Sequence, residues 1–226
     1  MKAAIYTLNS KIAWLKRCQR ISPDGFDRIN IGSGLAVAPG WLNIDSSPFI
    51  LFTGWPKFIN RRLAKIGVNK DIPTREYCRI LSENRFIYHD IRYGLPLPDA
   101  SINYAYSSHV LEHFYKDEAL ELLREIYRIL KPGGLVRIAI PDLEYALKLY
   151  YDGKKEKGLK FMFSPKNFIV LSRHRYMYDF EMLKTALESA GFADICKCEY
   201  QKGRMPDIEK LDNRPEESIY AEAVKP

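Results

Sequence analysis

Cysteine is scarce in this chain, with four in 226 residues (Cys18, Cys78, Cys196, Cys198), too few and too scattered for a disulfide framework. Cys196 and Cys198 are expected to send their sulfurs to opposite faces of a strand, so all four thiols are expected to be reduced and structural. No apolar run approaches the roughly 18 residues that a membrane span needs. Met1 to Ser10 lacks the apolar core and small-residue cleavage site of a secretory leader, and a cytoplasmic protein is expected. There is no internal repeat and no low-complexity tract. There is also no Lys/Arg block, because the net charge of +7 is spread along the chain, which argues against a nucleic-acid partner. The four histidines and the acids lack carboxylate-triad spacing, so no obligatory metal is expected.

What is present suits one enzyme domain over residues 1–226, with 46% hydrophobic residues to build a core. Short β-branched or aromatic runs at 27–31, 41–44, 85–89, 102–107 and 135–140 alternate with longer segments of helical period, the pattern of a parallel α/β sheet with doubly wound helices. The clearest helix is expected to start near Asp117 as its N-cap and to bury Leu120, Leu123, Ile126, Tyr127 and Leu130 before Pro132-Gly133-Gly134 stops it. A second runs from Asp179 through Leu183, Ala186, Leu187 and Ala190 to Gly191. Gln201 to Glu217 reads as a long loop. Residues 1–25, with Tyr6, Ile12, Trp14 and Leu15, read as an N-terminal lid helix. Residues 46–84 read as a helical insertion, and within it 49–75 mixes aromatic and apolar side chains with Lys57, Arg61, Arg62, Lys65 and Lys70. That stretch is read as a substrate lid, as a packed helix with a basic outer face, or as a peripheral membrane contact.

Chemistry concentrates in Arg28-Ile29-Asn30-Ile31-Gly32-Ser33-Gly34 followed by Asn43-Ile44-Asp45. The order reads as strand, glycine turn, helix start, second strand and carboxylate, which describes a nucleotide pocket. A dinucleotide fingerprint wants a third glycine and a more distant acid, whereas this chain has Val37 and an acid 11 residues past Gly34. That spacing favours S-adenosylmethionine over NAD.

Further along come His89-Asp90-Ile91, Gly94-Leu95-Pro96, Ser107-Ser108-His109-Val110-Leu111-Glu112-His113 and Leu130-Lys131-Pro132-Gly133-Gly134. With the glycine turn these resemble, over roughly residues 26–226, the class I S-adenosylmethionine-dependent methyltransferases, in particular a type 11-like branch linked to polysaccharide assembly. The resemblance implies a Rossmann-like, mostly parallel seven-stranded sheet, closed by an antiparallel hairpin of 193–200 and 218–224. It implies that Gly32, Ser33, Gly34, Asp45, Ser46, Asp90, Ile91, Ser107 and Ser108 line S-adenosylmethionine, with S-adenosylhomocysteine as product. Asp45 would accept from the ribose hydroxyls, and Asp90 with Ile91 would hold the adenine.

Transfer to a hydroxyl requires alignment and a base. His109, after the fourth strand, is the first candidate, since an imidazole titrates near neutrality. His174 is the second, and Glu112 and Asp142 are reserves; His113 is expected to brace a helix and His89 to point away from the cofactor. No Asn/Asp-Pro-Pro-aromatic box follows the fourth strand, which disfavours nucleobase amines. The acceptor implied by the branch is a small molecule or glycan hydroxyl, with Trp55, Tyr145, Tyr176 and Tyr178 as stacking surfaces. Lipid, natural-product or RNA acceptors, and a non-catalytic cofactor-binding module, are the other readings.

Overall fold

The computed structural model describes residues 2–55, 73–163 and 173–226. Lys57, Arg61, Arg62, Lys65 and Lys70, the basic part of the expected insertion, lie outside the described residues, and so does most of the 49–75 stretch. Strands β1 (Arg28–Ile31), β2 (Leu42–Asp45), β3 (Arg85–Tyr88), β4 (Ile102–Ser108), β5 (Leu130–Pro141), β6 (Ala193–Cys198) and β7 (Ser218–Val224) form one sheet in the order β3-β2-β1-β4-β5-β7-β6. The first five are parallel, and β7 runs antiparallel to both β5 and β6. Mostly parallel strands reversing order between β1 and β4, with a closing antiparallel pair, match the Rossmann-like expectation. Among the described residues no helix is long and apolar enough to cross a membrane.

The described helices are α1 (Lys2–Leu15), α2 (Thr74–Glu83), α3 (Lys116–Ile129), α4 (Leu143–Tyr151), α5 (Lys155–Phe163), α6 (Phe180–Ser189) and the one-turn α7 (Ile208–Leu211). The N-cap of α3 lies two residues before the expected one, Asp117. Tyr115 is its N-cap, its amide donating to Glu118 Oε2 at 3.0 Å, so the acid three residues on closes the turn and Asp117 is merely an acid in the first turn. The buried stripe is Ala119, Leu122, Leu123, Ile126 and Ile129, with Leu120 and Tyr127 at its half-buried margin. Leu130 is already the first residue of β5: its pairing with Ile102 resumes only at Tyr104–Leu135, and Lys131 to Gly134 loop out between. α6 behaves as the sequence suggests. Asp179 Oδ1 accepts from Met182 N at 2.8 Å, Leu183 and Leu187 are buried, and Gly191 leaves the helix at φ +102°.

One sheet face is covered by α3 and α6, whose apolar stripes meet Ile29, Ile31, Ala105, Val136, Ile138 and Ala221. The other face departs from expectation. The helix expected after the glycine turn is absent, since residues 32–41 form turns that lead straight into β2. The 199–217 loop lies over this side instead, placing Met205, Ile208 and Leu211 against Ala38, Trp41, Tyr106 and Leu135. Asp207 ties it down, its Oδ2 accepting from Trp41 Nε1 at 3.0 Å and Arg28 Nη1 at 2.9 Å.

Beneath the loop Arg137 is fully buried and paired with two buried carboxylates, Asp212 (Nη2–Oδ2 2.6 Å) and Glu222 (Nη1–Oε1 3.0 Å). It also donates to the carbonyls of Glu199 and Lys202, while Asp212 accepts from Tyr106 Oη and Gln201 N, so the ions' hydrogen-bonding capacity is used. A long, polar-looking loop is thereby anchored by charge inside the protein.

The two half-buried thiols of β6 need correction. Residues two apart on a strand share a face, and Cys196 Sγ lies 3.8 Å from Cys198 Sγ. They are free thiols, and burial pushes that of Cys198 up to about 11.

Candidate functional site

The carboxyl ends of β1, β2, β3 and β4 meet at one edge of the sheet, where open α/β folds bind ligands. Gly32 (φ +66°) and Gly34 (φ +51°) turn the chain there in backbone conformations that side chains rarely adopt. Gly32 N and Ser33 N donate to Ile44 O, and Gly34 N donates to Asp45 Oδ2 at 2.8 Å, which fixes the turn to the end of β2. The two glycines have different reasons to be glycine. A Cβ on Gly32 would lie 2.3 Å from Val110 Cγ2, whereas a Cβ on Gly34 would meet nothing within 4 Å, so only Gly34 borders open space.

Asp45 also accepts from Ser47 N, which makes it a turn-capping carboxylate; it stays half-buried, leaving lone pairs for hydroxyl donors. Asp90 is buried at 4% exposure and its carboxylate is held by Arg92, through the backbone amide and through Nε and Nη2 of the guanidinium. That pairing raises the Arg92 guanidinium further. Ile91 begins a 3₁₀ turn after Asp90 and packs half-buried against the main core. Ser33 is buried, and its hydroxyl makes only a long 3.4 Å contact to Gly34 O. Ser107, opposite Ile31, is buried with its Oγ lacking any partner among the described residues. Ser108 is half-buried on the face of Tyr106, whose hydroxyl it reaches.

The N-terminal segment closes over β2 and β3. Asn9 Nδ2 donates to Ser46 O at 2.9 Å, and the Tyr88 hydroxyl reaches Asn9 O and Oδ1, each at 2.9 Å. Burial first, then the charges of Asp90 and Asp45, pushes that phenol up to about 12, so it stays a donor. Gln19 Nε2 donates to Tyr88 O and touches His89 Nδ1, while His89 Nε2 faces Gly94 O at 2.9 Å. The carbonyl fixes a proton on Nε2 and leaves Nδ1 to accept from Gln19; burial lowers this imidazole's basicity.

Past β4 the chain turns through His109 in the left-handed region (φ +54°), with its amide on Ala139 O. Its Nδ1 lies 3.3 Å from Glu112 Oε1 and its Nε2 2.9 Å from Ser218 Oγ at the start of β7. Glu112 is 1% exposed. Burial pushes its carboxyl up, but the contact with His109 and the charges of His109 and His113 outweigh that and hold it below the ordinary range. Its carbonyl takes Arg175 N and Tyr176 N, which draws the 173–178 segment in. The His174 ring lies 5.5 Å from the His113 ring, its buried Nδ1 lacks a partner among the described residues, and burial lowers its basicity. His113 Nδ1 reaches Arg173 O, so it braces that segment rather than α3. Asp142 is spent as the N-cap of α4.

Beside Ser218 lies an open groove of about 560 Å3 lined by Tyr145, Lys157, Asn213, Arg214, Pro215, Glu216 and Glu217. Of the expected stacking rings, Tyr145 lines it and Trp55 is exposed, but Tyr178 is 2% exposed and packs edge-on against Tyr176, so it offers no face. One group of metal-type ligands is drawn together among the described residues, Cys196, Cys198 and Glu222, within 4.8 Å. Glu222 there already accepts from Arg137, Arg204 and the amide of Met205.

Residues 60–138 match the family model described as a methyltransferase domain. A stretch of 81 residues is 36% identical to a "Probable S-adenosylmethionine-dependent methyltransferase" of Mycolicibacterium smegmatis, covering 34% of this chain and 29% of that protein. A solved structure from Thermotoga maritima, titled as a SAM-dependent methyltransferase and possible histamine N-methyltransferase, superposes over 100% of this chain and 95% of its own at a TM-score of 0.50 and 15% identity. The methyltransferase SibL in its apo form gives a TM-score of 0.52 at 18% identity, over 100% of this chain and 55% of that one. At such identities the likeness is one of fold. The chain has the class I methyltransferase fold. Together with the domain match, that methyltransferase fold supports the S-adenosylmethionine-dependent class.

Sequence reasoning brought the Gly32–Gly34 turn, Asp45, Ser46, Asp90, Ser107 and His109 to one end of the sheet. It missed Ser218, Asn9 and Gln19, which carry no motif and reach the site only through the sheet closure and the docking of the N-terminal segment.

Proposed function

We propose that this protein is an S-adenosylmethionine-dependent methyltransferase acting on a hydroxyl of a sugar or glycan, with His109 as the base. The carrying observation is the placement of His109, set between a buried carboxylate and a hydroxyl, at the strand ends that also present the glycine turn. The residues present fit the cofactor. Open space over Gly34, the free lone pairs of Asp45 and the unpartnered buried hydroxyl of Ser107 are what an aminoacyl and ribose moiety requires. Gly32, Ser33, Gly34, Asp45, Ser46, Ser107 and Ser108 would hold its polar parts, and Asp90 with Ile91 its adenine. Since Arg92 occupies the Asp90 carboxylate, the adenine amine would share that acceptor. When bound, the cofactor supplies an electrophilic methyl for in-line displacement. The protein's own work is to exclude water, align the acceptor and receive its proton.

The groove beside Ser218 suits a polyhydroxylated acceptor, combining an amide, carboxylates, cations and the ring of Tyr145. A second reading, an acceptor held at a lipid surface, is favoured by Leu147 (38% exposed) and Tyr151 (80% exposed) standing on α4 with Lys148, and with Lys154 and Lys155 following.

Calorimetric titration with S-adenosylmethionine, S-adenosylhomocysteine and NAD tests the cofactor half. Binding of both adenosyl ligands, weakened by Asp45→Ala and absent for NAD, is expected. Failure of both to bind the wild type overturns the reading. Labelled-methyl transfer to a panel of glycosides tests the acceptor half.

A further inference from the structure

We infer that Ser218 is a catalytic residue that receives the acceptor's proton and passes it to His109, with Glu112 positioning the imidazole; the inference rests on the methyltransferase reading above. The argument begins with what each group can donate. Glu112 is a buried carboxylate that only accepts, and neither of its oxygens has a hydrogen-bond partner among the described residues; His109 Nδ1, 3.3 Å from Oε1 in ion-pair rather than hydrogen-bond geometry, therefore carries the proton that the negative charge favours. In the neutral ring Nε2 is then bare, and the contact at 2.9 Å is the Ser218 hydroxyl donating to it. The one bare nitrogen of His109 is thereby occupied and the other bears a proton beside a carboxylate, so an acceptor has no free lone pair on the ring to reach.

Ser218 has what His109 lacks. Its hydroxyl spends its one proton on His109 and, on a half-buried residue, retains lone pairs for an incoming O–H. Its chain neighbour Glu217 lines the open groove, so an acceptor seated against Tyr145 and Arg214 lies on the Ser218 side of the relay. His109 is held by its left-handed backbone and its amide bond to Ala139 O, and Glu112 is fixed by the amides of Arg175 and Tyr176 on its carbonyl.

The step balances. The acceptor oxygen bonds to the methyl carbon as the carbon–sulfur bond breaks and its electron pair stays on sulfur, giving the thioether. The acceptor's proton passes to Ser218 Oγ as the Ser218 proton passes to His109 Nε2. The imidazolium so formed is paired with Glu112 and then returns its proton to water, leaving the serine unchanged.

The test replaces the hydroxyl by a thiol whose deprotonation can be read without any acceptor. In Ser218→Cys, alkylation by iodoacetamide near neutral pH, followed by peptide mass spectrometry to separate it from the four native cysteines, is expected to run at least about tenfold faster than in Ser218→Cys/His109→Ala, because a paired imidazole enriches the thiolate. Ser218→Cys/Glu112→Gln is expected to fall between. Equal rates in the first two variants would overturn the relay, and so would a rate in the third no lower than in the first. Titration of S-adenosylhomocysteine into the wild type and each variant separates the two readings: intact cofactor binding with equal alkylation rates sinks the relay and leaves the methyltransferase reading standing, whereas absent binding to the wild type sinks that reading and, with it, the catalytic role of Ser218, whatever the alkylation rates. ¹⁵N spectra of the histidines in the wild type add an arm independent of the variants' folding, with a protonated Nδ1 and bare Nε2 on His109 expected and the opposite tautomer overturning the assignment.

Discussion

Gly32 and Val110 interlock: the space where a side chain on Gly32 would begin is already filled by a methyl of Val110, 2.3 Å from the ideal Cβ position. The glycine turn is therefore built against the segment that carries His109, and a change at one is felt at the other. Gly32→Ala combines a clash with a left-handed backbone, and a loss of about 2–4 kcal/mol is expected. Gly34→Ala has the left-handed strain alone and should lose about 1 kcal/mol. Urea unfolding of the two variants checks the order, and equal losses would refute the distinction.

Arg137 gives the second prediction. Replacing it with Leu leaves Asp212 and Glu222 buried without their counter-ion and should cost about 3–5 kcal/mol, seen as a lower denaturation midpoint. Gly203→Ala should also destabilise, since its Cβ would fall 2.2 Å from Glu222 Oε1.

How much of this was legible follows from where the information resides. Strand positions and the α6 ends were readable because period-two runs, Asp179 and Gly191 act locally. The absent helix after Gly34 was not: glycine turn and acid fit either a helix or a bare loop, and the decision lies with the 199–217 loop, whose Met205, Ile208 and Leu211 take that side of the sheet. Ser218 was invisible for the same reason. Nothing near it in sequence names it, and only the β5–β7 pairing, with Pro141 opposite Ser218, brings it beside the end of β4.

The buried histidines set a pH dependence. His89 and His174 have basicity lowered by burial, so the unfolded chain binds more protons as pH falls. Their contribution is complete above the unfolded value near 6.5 and is lost as pH drops toward their depressed folded values. Glu112, held below its ordinary range, contributes in the same direction but in a lower window, as pH falls past the usual carboxylate range. Melting temperature is expected to decline from about pH 7 to about pH 5, and His89→Gln should flatten that decline. A flat profile in the wild type would contradict the assignment of neutral rings.

We propose that α1 and the residues to Gln19 act as a lid over the cofactor. Asn9 bonds the carbonyl of Ser46, next to Asp45, and takes the Tyr88 hydroxyl, while Gln19 bonds Tyr88 O at the end of β3 and His89, next to Asp90, so the segment spans both carboxylates assigned to the ligand. The outer side of the helix exposes Trp14 and Leu15, whereas Ala13 is buried against Ile50, Tyr77 and Tyr88. A ligand resting on Asp45 and Asp90 would stiffen Ser46 and Tyr88, and with them the lid. S-adenosylhomocysteine should therefore protect the peptide bonds near Lys11, Lys16 and Arg17 from trypsin. Asn9→Ala, which removes the side-chain links to Ser46 and Tyr88, should weaken both the ligand's affinity and that protection. Cleavage at an unchanged rate in saturating ligand would show that the segment is only a structural cover.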